Sequence, residues 1–478
     1  MKKYILIVLT LLFSLNSCVD FLTLQPEYQI NENTFYENAS DYETALVGTY
    51  STLQGLHNTS LLYLAELTTD NAEITWSGGT ISQMECDQMN LTPTNEYVYS
   101  TWNSCFTTIS RCNNILTRIE NADIDITLKS QYKGESLFLR AYCYFYLVRL
   151  FGDLPLIKVA FRSPNEIAAF DMSRKPVSEI YNLIIADLKE AANLLSGVAG
   201  LEKSRASVGA SKALLGKVYL TQKEYALAAI SLKEVIDMNK YSLTPNYKTL
   251  FTNGNDDLAE SIFEIKYIGG NVGEGNSFSS LFTPFIFDMA IFPGNMAGSG
   301  IIIPTHALAD TYEPDDLRRG ASIADSIKLK NGSYGKNLYG LKFVDFTTGI
   351  QGDGSINFTS IRYADVLLMY AEALNETNKT TEALTYMNMI RARAGLAAKA
   401  GLSKADFTLS IEKERQLEFL CEGARWFDLV RTGRAKTVMN KYFSDHGLKF
   451  TVEDYELLMP IPQKERDINP ILEQNSGY

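Results

Sequence analysis

Apolar residues recur along most of the chain at the three- and four-residue spacing of one helix face, in paired segments separated by short polar turns. One pair reads Leu215-Gly216 and Tyr219, then Ala228 and Leu232, with its turn from Thr221 to Glu224. A second reads Tyr370-Ala371 and Leu374, then Ala383, Met387 and Ile390, around a polar turn from Asn375 to Thr380. A third begins in Glu135 to Phe151, where Ala141 and Tyr144 hold the same places, and its partner helix is predicted from Val177 to Leu195 after an insertion. Small residues such as Gly216 and Ala228 stand where two antiparallel helices must approach closely. A further helix is expected from Ser410 to Arg431. No such hairpin can bury its apolar face alone, so the core must come from stacking them. The apolar stripes therefore read as packing and not as a cofactor box.

Units of about 34 residues with this pattern resemble tetratricopeptide repeats. The predicted fold is mostly α: a tetratricopeptide-like helical-repeat scaffold with loop-rich insertions and a few short strands. The scaffold occupies 31–242 and is interrupted by a polar excursion at 68–99, which carries Trp76 and Gly78-Gly79. Residues 243–357 lose the helical period and are rich in Gly, Asn, Phe and Tyr, with a strand expected from Ser261 to Tyr267. They read as an irregular, ligand-facing subdomain. Residues 358–478 return to repeat-like helices and end in a tail.

The first residues follow a different logic. Lys2 and Lys3 precede an apolar run from Tyr4 to Leu15, the length of a secretory signal and short for a membrane span. The run ends in Leu15-Asn16-Ser17-Cys18, which resembles a bacterial lipoprotein cleavage site. Residues 1–17 are thus expected to be a signal peptide and 18–30 a segment lipidated at Cys18, with acyl chains as the membrane attachment. Of the other cysteines, Cys86, Cys105, Cys112, Cys143 and Cys421, none is required for a disulfide framework, and buried free thiols are expected.

Composition narrows the chemistry. The formal charge of −12 disfavours a nucleic-acid partner, which needs a basic face. His57, His306 and His446 are far apart and form no zinc-binding pair, so no metal site, cofactor or catalytic residue is expected. Nucleotide-binding glycine loops and nucleophile elbows are absent from the sequence. The charged string from Glu412 to Arg431 is predicted to form intrahelical pairs three apart: Arg415 with Glu418, Glu422 with Arg425, and Asp428 with Arg431. Glu313 to Arg318 reads as a helix start, and calcium there or at Asp256-Asp257 would need converging oxygens that spacing alone does not supply.

Eight strings, in order, resemble the SusD/RagB family of outer-membrane nutrient-binding lipoproteins over nearly the whole chain. They are CVDFLTLQP from Cys18, RCNNILTRIE from Arg111 with GESLFLRAYCYFYLVRLFGDLPL from Gly134, SVGASKALLGKVYL from Ser207, IRYADVLLMYAEALNE from Ile361, MIRARAGL from Met389, ERQLEFLCEGARWFDLVRTG from Glu414, and LLMPIPQKERDINPILEQNSGY from Leu457. The resemblance implies a non-enzymatic surface lipoprotein of Bacteroidetes-type bacteria. It would cap a SusC-like TonB-dependent transporter and deliver glycan oligomers; a peptide ligand, or a lid with little affinity of its own, are the alternatives. A glycan site would combine flat aromatic faces with planar polar groups. On that chemistry Trp76 is the leading candidate, beside Asp70 and Asn71, against a role as a loop anchor. Among Phe278, Phe282, Phe285, Phe287 and Phe292, the candidates are Phe278, Phe282 and Phe292, against a mini-core beneath the loop. Tyr334 and Tyr339 add aromatic area with hydroxyls, whereas Trp102 reads as a packing residue.

Overall fold

The computed structural model describes residues 35–478 other than Ser77 and Asn295, so the expected signal peptide and Cys18 lie outside the described residues. The principal helices are α1 (Ala39–Gly55), α2 (Glu96–Ile119), α3 (Ile126–Phe151), α4 (Val177–Leu194), α5 (Val208–Thr221), α6 (Tyr225–Asp237), α7 (Tyr363–Glu376), α8 (Thr380–Arg393), α9 (Lys404–Glu418) and α10 (Arg425–Arg431). From α1 to α8 each helix packs on the next, α6 on α7 included, although more than a hundred residues separate those two in sequence. This is the stacking that the repeat pattern demands, and it carries the irregular segment as a long insertion between α6 and α7.

The small residues do what their spacing implies. A Cβ on Gly216 would lie 2.5 Å from Leu232 Cγ, and one on Gly134 would lie 2.8 Å from Leu195 Cγ, so the helices can close only on glycine. Burial of α7 is complete enough to take in Asp365, which sits between Lys217 at 2.6 Å and Arg415 at 2.8 Å. All five cysteines of the described chain are buried free thiols.

Short strands lace the insertion onto the scaffold. They are β1 (Ala72–Glu73), β2 (Leu154–Pro155), β3 (Arg174–Lys175), β4 (Ser261–Ile265), β5 (Ile303–Pro304), β6 (Ile323–Lys328), β7 (Tyr334–Gly340) and β8 (Phe358–Arg362). They form antiparallel pairs β1–β5, β2–β3, β4–β8 and β6–β7. The excursion at 68–99 is less loop-rich than its polarity suggests. Thr80 and Gln83 close a capping box on a helix over Ile81–Asp87, and α2 already begins at Glu96, so Trp102 lies inside a helix. Trp102 is buried against Phe106 and Phe151.

The charged string departs most from its prediction. The helix expected from Ser410 to Arg431 is broken between α9 and α10, where Cys421 and Gly423 have φ of 64° and 66°. Only Asp428–Arg431 pairs locally, at 2.9 Å. Arg415 instead binds Asp365 and Asp428, Arg425 binds Asp70, and Glu422 binds Lys342 and Arg362. Glu418, with no exposed surface, meets Arg362 at 2.6 Å, Arg318 at 3.2 Å, and Arg393. Its backbone carbonyl, at the end of α9, accepts from Arg362 Nη2 and Lys342 Nζ, both at 2.8 Å, and from the Tyr247 hydroxyl at 2.5 Å. Cations at a helix C-terminus also complement its dipole. The cause of the misreading is physical: sequence spacing reveals only local pairs, whereas buried ions must find whichever opposite charge the fold brings to them.

Burial opposes ionisation of Glu418, yet Arg393, Arg362 and Arg318 hold its carboxyl well below the usual carboxylate range. Glu418→Gln leaves those guanidinium groups facing an uncharged amide, and the expected loss is about 3 to 5 kcal/mol in urea unfolding. The folded-state value lies below the unfolded one of about 4.3. The contribution is therefore complete at neutral pH and disappears as the pH falls from about 4 through the folded value. The difference between wild type and variant should shrink in acid, and a variant within about 1 kcal/mol of wild type at neutral pH would contradict the hub role.

Candidate functional site

The site is built where the two excursions meet. After α1 the chain passes through two π-helical turns, Leu56–Ser60 and Tyr63–Leu67, and then leaves the scaffold. Glu66, buried in the second turn, accepts from the side-chain amide of Asn71 at 2.9 Å and from the backbone N–H groups of Cys421 (2.9 Å) and Gly423 (3.1 Å). Burial raises its carboxyl to about 7, against the lowering pull of those donors. Asp70 forms a two-pronged pair with Arg425, with both contacts at 2.8 Å, and Gln416 donates to both Asp70 and Asn71.

From this anchor the strand β1 runs beside β5, pairing Ala72 with Pro304 and Glu73 with Ile303. The Thr75 N–H continues the ladder to the Gly300 carbonyl at 2.9 Å, and the Ile74 N–H is taken by Asp87 at 3.2 Å. Burial pushes Asp87 up to about 7 as well, again against the N–H it accepts. The ladder delivers Trp76 to the side of Phe285, with ring centroids 4.8 Å apart and an interplanar angle of 32°. Trp76 is 36% exposed and Phe285 46%, so the two rings cover part of each other and each keeps apolar surface in solvent. A Cβ on Gly78 would lie 2.1 Å from the indole, and Gly300, at φ 67°, lies against Trp76 Cβ. Only glycine lets the chain fold beneath the ring there.

The irregular segment holds further exposed rings. Phe287 is 91% exposed and Tyr334 67%. Phe346 is exposed as well and stacks on Phe292 at 5.9 Å. Behind them lies a closed aromatic core in which Phe278 touches Phe282, Phe343 and Phe358.

Of the residues predicted from sequence, Trp76 and Tyr334 stand exposed. Phe278 and Phe282 do not: both are fully buried and form the mini-core, which leaves no ring face for a ligand. Tyr339, on the inward face of β7, and Phe292, beneath Phe346, are also buried. Asn71 is buried, and the Asp70 carboxylate is committed to Arg425, so both tie the loop down and neither reaches outward. Sequence reasoning set aside Phe285 and Phe287 and missed Phe346. The available signal was local: Phe285 and Phe287 follow Pro284 closely in a stretch without helical period, where aromatic side chains are least certain to be buried.

Two other spaces lie apart from the Trp76–Phe285 pair. A groove of about 910 Å³ is lined by Phe106, Ile157, Phe170, Ile468 and Ile471 together with Ser110, Arg111 and Asn469. A partly open cavity of about 50 Å³ lies among Arg149, Asp365, Arg415, Asp428 and Arg431 and has room only for water. No group of histidine, cysteine and acidic residues able to hold a metal occurs among the described residues. Asp316 caps the helix after it and binds Arg318, and Asp257 accepts from the Lys203 N–H.

A family model described as the SusD family matches residues 328–478, and one described as starch-binding associating with outer membrane matches residues 20–220. Two SusD-like proteins of Formosa agariphila are 28% and 30% identical to the chain, with 100% of both partners aligned in each case. A solved laminarin-binding SusD-like protein shares 29% identity at a TM-score of 0.77, covering 93% of this chain and 100% of its own. Among the described residues no helix is long and apolar enough to cross a membrane.

Trp76 is the one exposed tryptophan, since Trp102 and Trp426 are buried. Iodide should therefore quench a single component of the emission, absent in Trp76→Phe. Gly78→Ala should enlarge that component by pushing the indole outward. An unchanged quenching curve in Gly78→Ala would mean that the ring does not rest on the glycine.

Proposed function

The chain belongs to the SusD family, and from that premise we propose that it is a cell-surface lipoprotein, anchored through Cys18 at the outer membrane, which captures glycan oligomers and passes them to a SusC-like TonB-dependent transporter. The observation that carries the glycan reading is the exposed Trp76–Phe285 pair, with Phe287 and Tyr334 further along the same irregular segment. Flat rings suit the C–H face of a sugar, and the loops that hold them are braced by β1–β5 and by the Asp70–Arg425 pair. A relative of the same fold is a laminarin-binding protein, which supports the ligand class. The protein binds and releases; it does not cleave.

The repeat stack is proposed as the side that packs on the transporter, which leaves the irregular segment for ligand. Such a division follows from stiffness: stacked helices give a broad, rigid face, and loops supply local chemistry.

Titration calorimetry of the purified chain against oligosaccharide and mixed-peptide panels tests the reading. Saturable heat with a glycan class is expected, and Trp76→Ala should weaken it about tenfold, the worth of one aromatic contact near 1.4 kcal/mol. Heat with peptides alone would replace the glycan by an extended peptide ligand. Silence with both would move the site into the complex with the transporter.

A further inference from the structure

The surface beside the aromatic pair carries charge of one sign. In the β6–β7 hairpin, Lys328 pairs with Tyr334 and Ser326 with Lys336, so these four residues share one face. The intervening Ile327 is fully buried on the other face, which points Lys328, Tyr334 and Lys336 to solvent. On the opposite edge of β6 the chain at 288–290 adds a third rung: the Ala290 N–H bonds the Lys328 carbonyl at 2.8 Å, and the Lys330 N–H bonds the Asp288 carbonyl at 2.7 Å. This places Lys330 beside Phe287, with its ammonium 6.0 Å from the ring centroid.

Lys328, Lys330 and Lys336 are all exposed, and none is paired with a carboxylate among the described residues. The nearby Asp325 is taken by Arg319 at 2.5 Å, which leaves Asp288 as the acid at the edge of the patch. A chain of net charge −12 that leaves three lysines unpaired around a 67% exposed tyrosine has a local field opposite to its overall one.

We infer that the glycan taken by this surface is anionic, a polymer bearing carboxylate or sulfate groups, with its ring stacked on Tyr334 and its charges set against Lys328, Lys330 and Lys336. The inference rests on the glycan-binding reading above and narrows its substrate class. A neutral glucan would use the rings and leave the three ammonium groups idle. A uronate or sulfate ester uses both, since lysine is a compact point charge that accepts either oxyanion. Carboxylate and sulfate share this chemistry, and the comparison of the two polymers separates them.

The test compares the full chain with its Lys328→Glu/Lys330→Glu/Lys336→Glu variant and with Tyr334→Ala. The probes are oligomers of matched length: a neutral β-glucan, a polygalacturonate, a sulfated galactan, and a polyphosphate of equal charge, each at low and high salt. Wild type should bind one of the anionic glycans most tightly, with affinity falling as salt rises. The triple variant should lose at least about tenfold for that ligand. Tyr334→Ala should weaken it as well, while polyphosphate binds poorly to all forms. Lys328→Ala, a milder change on the same exposed face, should give an intermediate loss and guards against misfolding of the triple variant.

Binding of the neutral glucan with no preference for either anionic polymer would overturn the inference and leave the glycan reading standing. Polyphosphate binding as tight as polygalacturonate would also overturn it, because the patch would then be a general anion surface. Failure of every glycan would remove the reading on which it rests.

Discussion

Glu418 is the residue on which the rest of the molecule is assembled. It uses both carboxylate oxygens and its backbone carbonyl, and its partners come from separate parts of the chain: Tyr247, Arg318 and Lys342 from the irregular segment, Arg362 from the end of β8, and Arg393 from the end of α8. Glu260, fully buried beside it, binds Arg362 and Arg393 in turn. Apolar burial alone would let an insertion of this length settle on the repeats in several ways, since the hydrophobic effect has no direction. Charges buried together have direction. Each arrangement that leaves one of them unpaired is penalised by several kcal/mol, whereas the paired arrangement roughly balances its own desolvation. The network thus contributes less to overall stability than to the choice of a single docking geometry.

That geometry leads to the site in a short series of bonds. Immediately after Glu418 the chain turns through Cys421 and Gly423, both at positive φ, and their N–H groups grip Glu66. Glu66 holds Asn71, and Asn71 offers its carbonyl to Thr305 at 3.0 Å at the start of the β1–β5 ladder that ends in Trp76 and Gly300. A non-glycine residue such as Cys421 in that conformation costs of order 1 kcal/mol, which the bonds to a buried carboxylate offset. The surface aromatics are therefore fixed by the same element that fixes the insertion, and no flexible hinge intervenes.

The sequence discloses the two halves of this arrangement unequally. The repeats were legible because their information is local: an apolar spacing, a polar turn, and a glycine where Leu232 must pass over Gly216. The insertion was legible only as a loss of period. Which of its aromatics face outward depends on long-range packing, so Phe278, Phe282 and Tyr339 could not be separated from Phe285, Phe287 and Tyr334 by composition. Polar residues mislead in the opposite direction. Asp70 and Asn71 look like ligand groups beside a tryptophan, and the structure uses both to bind Arg425 and Gln416. Trp76 itself was legible because Gly78-Gly79 after it argued against burial in a helix or strand.

The form of the surface bears on what it can do. Trp76 and Phe285 are exposed only in part, so a chain bound against them would keep much of its other face in water. Area buried on one face yields modest affinity once the cost of ordering a flexible polymer is subtracted. Among related complexes such weakness resides in the dissociation rate and not in the rate of encounter. A receptor proposed to relinquish its cargo to a transporter needs that combination: fast capture, aided by charge on the adjoining hairpin, and a residence time short enough for transfer. Rigid anchoring serves the same end, because rings that are already ordered add no further entropic cost when the ligand arrives. The interior charge network and the exposed aromatic rings are in this sense coupled, because the order of the rings is established at folding, before the proposed ligand arrives.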